Sequence, residues 1–478
     1  MSLWSRETYI PKTNRLDSDL SVDVAVIGAG IAGLLTAYEL AQKGFDVVVI
    51  EKEGICAGET VGTTAKITYQ HGLIYQKLSE ADAENYYHAN KMAVERFFEI
   101  AEELGVECGL RRVPSYIYSR EEDEKIKAEA LAAKKIGIDC EICKHTELPF
   151  EVKIALKFND TACFQPLEFL KAVAERLTIF TDTEAVSVDE KGVITEFGRV
   201  NAKHIVVATH YPFINAPGYY FLRLYQSRSY LLALENVPGL NGMYLDVGKG
   251  GHTFRPYKDM IIFGGQSHTT GDRESAEGCY EKLAQFAQEI FPGCRVVERW
   301  SAQDCMTPDG VPFIGRYSKD TPNLWVATGF NKWGMTGSMV AAMILSDKIS
   351  GKNVPFAETF SPTRPKAAKA ASVTALSLKA AAHLLKQGLY IPSSEINDVE
   401  KGEGRIVNIE GEKLGVYRDE AGNFYFVSPK CTHLGCQLEW NQSDKSWDCP
   451  CHGSRFDIYG KVLSNPAKAD LTAGSNTE

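Results

Sequence analysis

The apolar and polar positions resolve first into a strand, a helix and a second strand. Val22-Asp-Val-Ala-Val-Ile27 is a short, nearly unbroken apolar run closed by Gly28, which reads as a buried strand. Ala29 to Lys43 then places its apolar residues at helical spacing and stops at Gly44, and Asp46 to Ile50 gives another apolar run. Residues 76–150 are rich in Glu, Lys and Ala at helical spacing, while 176–209 alternates short strands and turns and ends in His204-Ile-Val-Val-Ala208. Residues 223–265 read as strands, among them Met260-Ile-Ile-Phe263, and Asn323-Leu-Trp-Val-Ala-Thr-Gly329 reads as a strand entering a helix that runs to about Ser350. No internal repeat is present.

The pattern changes after Pro355. Residues 363–394 carry Arg364, Lys366, Lys369, Lys379 and Lys386 with no acid, around an Ala-rich centre bounded by Pro365 and Pro392. This predicts an interdomain helix over 366–387, about 33 Å long at 1.5 Å per residue. The basic stretch also offers contact to an anionic membrane surface or an acidic carrier, but a solvated linker helix is the preferred reading. From 396 to 466 short strands alternate with glycine turns, as in Arg405-Ile-Val-Asn-Ile409 and Phe424-Tyr-Phe-Val427, which predicts a small all-β domain.

Composition narrows the function classes. The 478 residues suggest two or three domains, and 44% apolar with 24% charged residues is ordinary globular usage. A net charge of −10 opposes a phosphate-neutralising surface, so nucleic acid is not an expected partner. No apolar run approaches the length of a membrane span and residues 1–20 lack a signal-like apolar core, so a cytoplasmic protein is expected. Twelve cysteines are too few for a disulfide scaffold, yet four lie between Cys431 and Cys451.

Gly28-Ala-Gly30-Ile-Ala-Gly33 falls between the first strand and its helix, with Glu51 at the end of the second strand. These are the parts of a dinucleotide site: glycines for a tight turn, for close approach to a pyrophosphate and for helix packing, and an acid for the ribose hydroxyls. The chain returns to this sheet with Val206-Val-Ala-Thr209 and Val326-Ala-Thr-Gly329, which favours FAD over NAD. Here residues 20–350 resemble the FAD-dependent D-amino-acid/glycine oxidase superfamily, most specifically in Thr307-Pro-Asp-Gly-Val-Pro-Phe-Ile-Gly315 and Ala327-Thr-Gly-Phe-Asn-Lys-Trp-Gly334-Met335. The resemblance implies an α/β FAD-binding Rossmann-like domain with an inserted mixed-sheet substrate domain. It implies FAD contacts from Gly28, Gly30, Ile31, Ala32, Gly33, Glu51, Lys52, Thr63, Thr64, Ala65, Val186, Ala208 and Thr209. Gly329, Phe330, Gly334, Met335 and Thr336 would meet the isoalloxazine, with Lys66 in the loop that follows the acid. Cys305 does not match the position of a covalent flavin link in some relatives, so it reads as a core residue and the FAD as non-covalent.

Cys431-Thr-His433 and Cys449-Pro-Cys-His452 supply two thiolates and two imidazoles from two loops. These donors suit a [2Fe–2S] cluster or a tetrahedral zinc. The flanks, CTHLGC and CPCHGS, resemble the cytochrome bc-type Rieske domain, which implies a [2Fe–2S] cluster on Cys431, His433, Cys449 and His452 and a disulfide between Cys436 and Cys451. In that family a serine at the position of Ser454 hydrogen-bonds a cluster sulfide, and a tyrosine usually stands where this chain has Phe456, so a lowered potential is expected. The imidazole edges of His433 and His452 are expected to be exposed as the electron exit. The polar tail after Pro466 lacks the apolar closing strand of such a fold.

The expected layout is an oxidoreductase domain at 1–355, with FAD-binding parts near 20–75, 155–215 and 300–352 and substrate parts near 76–150 and 216–299, a linker at 356–394 and a Rieske domain at 395–470. Amine oxidation by such a flavin needs orientation more than acid–base machinery, so Arg255, Tyr257 and His268 are the candidate catalytic residues, Arg255 as a grip on a substrate carboxylate. An ion pair within the protein is an equal reading of Arg255. Gln70 and His71 read as structural, and Cys140-Glu-Ile-Cys143 as chance spacing. The expected enzyme oxidises a small amine or amino-acid-like donor and passes electrons singly through the cluster to an external one-electron acceptor, a dehydrogenase before an oxidase. A non-catalytic electron-transfer or redox-sensing protein is the alternative. A Rieske oxygenase is disfavoured, since no two-histidine, one-carboxylate iron site follows His452.

Overall fold

A computed structural model describes residues 2–121, 123–248, 251–364, 396–409 and 411–473. The chain divides into two compact units. The first contains Met1–Gly218, Tyr230–Gly265 and Leu283–Pro365, and the second contains Tyr219–Ser229, Gln266–Lys282 and Lys366–Glu478.

The first unit is built on the strand-helix-strand opening. Leu20–Ile27 pairs in parallel with Val47–Ile50 on one side and with Arg199–Val207 on the other. Thr178–Phe180 extends the sheet beyond Val47–Ile50, and Leu324–Thr328 joins the end of Arg199–Val207 in parallel, Ile205 opposite Leu324. These strands read as unbroken apolar runs because helices cover the sheet. The helices Ile31–Gln42 and Gly334–Ile349 pack against each other and are buried along most of their length. The expected return of the chain to this sheet at 206–209 and 326–329 is therefore the observed topology.

The long helix Glu80–Leu104 shows how local sequence sets its limits. Ser79 accepts the Asp82 N–H at its start, and Gly105, at φ 60°, ends it. Its buried stripe, Ala83, Tyr86, Ala89, Ala93, Phe97 and Ile100, recurs at helical spacing. Each large apolar side chain so buried contributes about 1.5–3 kcal/mol. A second sheet runs in the order Arg295–Met306, Tyr225–Glu235, Met260–Thr269, Thr253–Tyr257, Met243–Asp246, Ser115–Ser119, Ile154–Phe158, Cys140–Cys143. Cys140 and Cys143 thus lie on an edge strand as free thiols.

In the second unit the C-terminal residues form two small antiparallel sheets, Gly404–Ile409 with Glu412–Arg418 and Phe424–Val427, and Glu439–Asn441 with Ser446–Asp448, Arg455–Phe456 and Val462–Ser464. Trp440 and Trp447 face each other across a strand pair, ring centroids 4.9 Å apart, in a core with Val427, Leu438, Phe456 and Leu471. The sequence assigns 216–299 wholly to the oxidoreductase part. Within that range, 219–229 and 266–282 belong to the same compact unit as the C-terminal strands. The tail also differs from expectation: Val427 bridges Ala473, Ser428 N–H donates to Thr472 O at 3.0 Å, and Ala467 and Leu471 are buried. A short bridged segment closes the module where a longer strand was missed. The expected helix 366–387 lies outside the described residues. Arg364, read as part of that basic linker, is instead buried in the first unit, paired with Asp309 at 2.9 Å and donating to the carbonyls of Val311 and Pro312.

Candidate functional site

The glycine turn is shaped by contacts that exclude any side chain. Gly28 has φ 105°, and a Cβ there would lie 2.7 Å from Ala208 O. A Cβ on Gly33 would lie 1.8 Å from Gly28 O. The turn is therefore clasped between its own helix and the loop at Ala208 and Thr209, with Gly30 capping the helix. Glu51 accepts the N–H of Ala29 at 2.8 Å and of Glu53 at 2.9 Å, and burial raises its pKa against those bonds. Thr60, which the sequence reading missed, accepts the Ile31 N–H at 3.1 Å and so occupies a donor assigned to the cofactor. Lys52 turns outward to Glu53, 3.3 Å away, and Val186 stands half-exposed at the bulge between Ala185 and Ser187. Thr63 O accepts the Trp4 indole N–H at 2.7 Å, Thr63 Oγ1 accepts the Ala65 N–H at 2.9 Å, Thr64 is half-buried, and Thr209 donates to Tyr211 O.

The second cofactor segment is a turn held in unusual backbone conformations. Gly329, Asn331 and Lys332 have φ of 71°, 53° and 71°. Asn331 fixes the turn by donating to Gly329 O at 2.6 Å and accepting the Thr307 N–H at 2.7 Å. Helix Gly334–Ile349 follows with no side-chain cap and no acid in its first turn. Its N–H end is thus available to an electron-rich ligand. Phe330 packs on Gly337, where a Cβ would lie 2.8 Å from its ring, and Met335 is buried. Thr336 faces the protein instead, donating to Thr68 O at 2.9 Å beside His71. His71 is satisfied at both nitrogens by Tyr86, Thr68 and Thr336, and burial lowers its pKa to about 3, in keeping with a structural role. Cys305 is buried with its thiol pushed up to about 12, a core residue. These parts fit FAD: a turn that only glycine tolerates, an acid at its side and a second uncapped helix.

Of the three candidate catalytic side chains, Arg255 and Tyr257 belong to the first unit and His268 to the second. Arg255 is 1% exposed, its guanidinium between the rings of Trp4 and Tyr257 at 5.1 and 5.3 Å and bonded to Phe164 O. Tyr257 donates to Glu7. His268 lies in the second unit, buried, with Nδ1 on Thr269 O. Among the described residues no carboxylate pairs with Arg255, and its Nε and Nη1 are buried without a hydrogen-bond partner, so the alternative reading of an internal ion pair is not what the structure holds. Lys66, buried and bonded to Tyr244 O at 3.0 Å, is turned away, its ammonium lowered to about 7 by burial and by Arg255. Lys332 behaves differently: desolvation lowers its ammonium while Asp304 opposes the shift. It sits in the Gly329 turn with φ 71°, two residues before helix Gly334–Ile349. Its position directly after Gly329-Phe330-Asn331 was the signal available in the sequence. An open cleft of about 1240 Å³ elsewhere, lined by Arg120, Lys153, Asp246 and His252, includes none of the expected site residues.

The two loops of the C-terminal module repeat one geometry. Cys431 N–H donates to Cys436 O and Cys449 N–H to Ser454 O, both at 2.8 Å, while Gly435 and Gly453 N–H return to Cys431 O and Cys449 O at 2.9 Å. Both glycines have φ 78°. Cys436 and Cys451 form a disulfide joining the two loops, Cα atoms 6.5 Å apart. The neighbouring Cys449 thiol favours the Cys431 thiolate. Backbone N–H groups of His433 and Leu434 and the Ser454 hydroxyl also favour the Cys431 thiolate. Burial lowers His433 and His452 to about 4, so both imidazoles are neutral, as ligands must be. The His452 Nδ1 is buried without a hydrogen-bond partner, an orphan that a metal would satisfy. Among the described residues, the ligand atoms crowded within 4.8 Å of one another are the sulfurs of Cys436, Cys449 and Cys451, two of which are bonded to each other. The four expected ligands do not converge on one point, as a single zinc would require, and a two-iron cluster accommodates that spread. The expected exposure of both imidazole edges is corrected for His452, which is 5% exposed, while His433 is half-buried; Phe221 stands against both rings.

Comparison with known proteins agrees with both sites. The family described as FAD dependent oxidoreductase matches residues 23–348, and the Rieske [2Fe-2S] domain matches residues 390–473. The putative Rieske 2Fe-2S iron-sulfur protein YhfW of Bacillus subtilis is 38% identical over 489 residues, 97% of this chain and 95% of that one. Glycine oxidase from Geobacillus kaustophilus has the same fold with TM-score 0.61 at 19% identity, covering 72% of this chain and 99% of that one. L-proline dehydrogenase from P. horikoshii also has TM-score 0.61, at 20% identity over 74% of this chain and 98% of that one.

Proposed function

Because this chain belongs to the FAD dependent oxidoreductase family and carries a Rieske [2Fe-2S] domain, we propose that it is a dehydrogenase that oxidises a small amine or amino-acid-like donor and delivers the electrons to an external one-electron acceptor. FAD supplies the two-electron oxidation and the cluster supplies single-electron transfer. The observation that carries the reading is the composition of the second unit. The four cluster ligands share one compact body with Tyr219–Ser229 and Gln266–Lys282, segments of the region matched by the FAD family. An oxidase that discharges to oxygen would have no use for such an arrangement.

The chain's own groups do the remaining work. The turn at Gly28–Gly33 and Glu51 would hold the adenosine half of the cofactor, and the Gly329 turn with helix Gly334–Ile349 would hold the ring. Lys332, in the Gly329 turn, would orient a donor carboxylate alongside Arg255, whose Nε and Nη1 are buried without a hydrogen-bond partner. Solved structures of the same fold include a glycine oxidase and an L-proline dehydrogenase, both acting on small amino acids, which supports this donor class.

The test is anaerobic mixing of the holoprotein with a panel of amines and amino acids, followed by low-temperature EPR. Flavin bleaching together with a reduced-cluster signal is expected for the true donor. Bleaching with the cluster left oxidised would overturn internal transfer. Failure of every donor to bleach the flavin would favour a carrier reduced by a partner protein.

A further inference from the structure

The rings of His433 and His452 meet edge to face with centroids 5.0 Å apart. Phe221 stands against both, at 6.3 Å from His433 and 5.9 Å from His452, its plane at 79° and 78° to theirs. These are favourable aromatic geometries, with an edge of one ring against the face of the other. Phe221 belongs to a short turn, Tyr220–Leu222, anchored by the buried Tyr220.

The segment that carries Phe221 is fastened to the cluster loops by buried polar groups. Gln226 Nε2 donates to His452 O and to Asn465 O, both at 2.9 Å, and so ties one ligand loop to the residue before Pro466. Arg228 pairs with Asp444 at 2.6 Å, and Asp444 also accepts from Arg455 and Tyr280. Ser443 accepts the Cys279 N–H at 3.0 Å and donates to Ala276 O at 2.7 Å. Two glycines mark how close the approach is. A Cβ on Gly453 would lie 2.6 Å from the Gln226 side chain, and one on Gly271 would lie 2.4 Å from Pro450. All of these residues belong to the second unit.

We infer that Phe221 seals the His452 side of the cluster, so that His452 is closed to molecules from solution by the chain's own residues 219–229. The inference rests on the assignment of Cys431, His433, Cys449 and His452 as cluster ligands. An apolar ring at this edge also excludes water, and the shell around a metal centre controls its solvent access and local dielectric. Phe221 is thus a positioning residue, acting on the cluster through His452.

The experiment is brief treatment of the oxidised holoprotein with diethyl pyrocarbonate, with modified histidines located by mass spectrometry. His88, whose side chain is 58% exposed, is the internal reference. In the wild-type protein His88 is expected to react while His452 stays protected. Phe221→Ala loses the protection of His452, and Phe221→Leu, which keeps an apolar cover, retains it. Reaction of His452 at the rate of His88 in the wild-type protein overturns the seal, as does unchanged protection in a Phe221→Ala protein that still shows the cluster EPR signal. The wild-type comparison decides the matter alone if the alanine variant does not load. Absence of the cluster signal from the iron-reconstituted wild-type protein would instead overturn the ligand assignment.

Discussion

Arg228 and Asp444 form an ion pair at 2.6 Å with side chains 5% and 8% exposed, joining residues 216 positions apart in sequence. Asp444 is held by a second guanidinium as well, Arg455 at 3.2 Å, whose Nε reaches Asp448 at 3.1 Å. Two buried cations therefore depend on two carboxylates. Asp444→Asn keeps the shape and removes the charge, leaving Arg228 facing a neutral amide. Loss of one partner of a buried pair costs about 3–5 kcal/mol. Urea unfolding followed by the visible circular dichroism of the cluster should show a loss of that size. A loss at the level of an exposed pair, below about 1 kcal/mol, would mean that the network is dispensable.

Gly33→Ala is expected to abolish FAD retention. Its Cβ would lie 1.8 Å from Gly28 O, so either the helix or the turn must move. Flavin content per chain after purification measures this, and the cluster EPR signal should persist, because the second unit contains neither glycine. Full flavin occupancy in Gly33→Ala would contradict the described turn.

Lys332→Gln separates donor recognition from cofactor binding. A hydrogen bond to a charged group is worth about 1.5–3 kcal/mol, so kcat/KM for donors with a carboxylate should fall by about 10- to 100-fold. Simple amines without a carboxylate should be affected little. Equal losses for both classes would place Lys332 in flavin support and not in donor binding.

Phe456 is fully buried in the strand Arg455–Phe456, opposite Trp447 of the strand Ser446–Asp448 and in one core with it. Phe456→Tyr introduces a phenolic donor beside the ligand loop, and hydrogen bonds to cluster sulfur favour the more negative reduced state. The midpoint potential is expected to rise. Redox titration monitored by EPR checks it, and an unchanged or lower midpoint would show that the hydroxyl does not reach the cluster.

Lys66 should give stability a pH dependence on the alkaline side. Unfolded, it holds its proton up to its ordinary value of 10.5, whereas in the folded protein it releases the proton near 7. Between these values the unfolded chain binds more protons, so the contribution of Lys66 makes stability rise with pH. Below about pH 7 both states are protonated and its contribution to the slope vanishes. Thermal unfolding of Lys66→Met from pH 7 to 9.5 should show a shallower rise than the wild-type protein. Parallel profiles would mean that Lys66 stays protonated when buried.

The sequence by itself determined what local pattern and spacing encode. The strand Leu20–Ile27, its glycine turn and Glu51 were legible because each is specified within some 30 residues by apolar runs, glycines and one acid. The cluster loops were legible because ligand identity and spacing lie within Cys431–His452. What the sequence left open lies between distant positions. Arg255 carries the same chemistry on paper whether it grips a substrate or packs between Trp4 and Tyr257, and only the tertiary structure brings those rings to it. Thr60 drew no notice because a threonine in a loop carries no mark of the Ile31 N–H that the fold brings to its hydroxyl. Phe221 lies more than 200 residues from both imidazoles it stands against, and no local periodicity records that contact. Burial and partner choice are properties of the packed chain, because an exposed and a sealed side chain differ only in what the rest of the fold places around them.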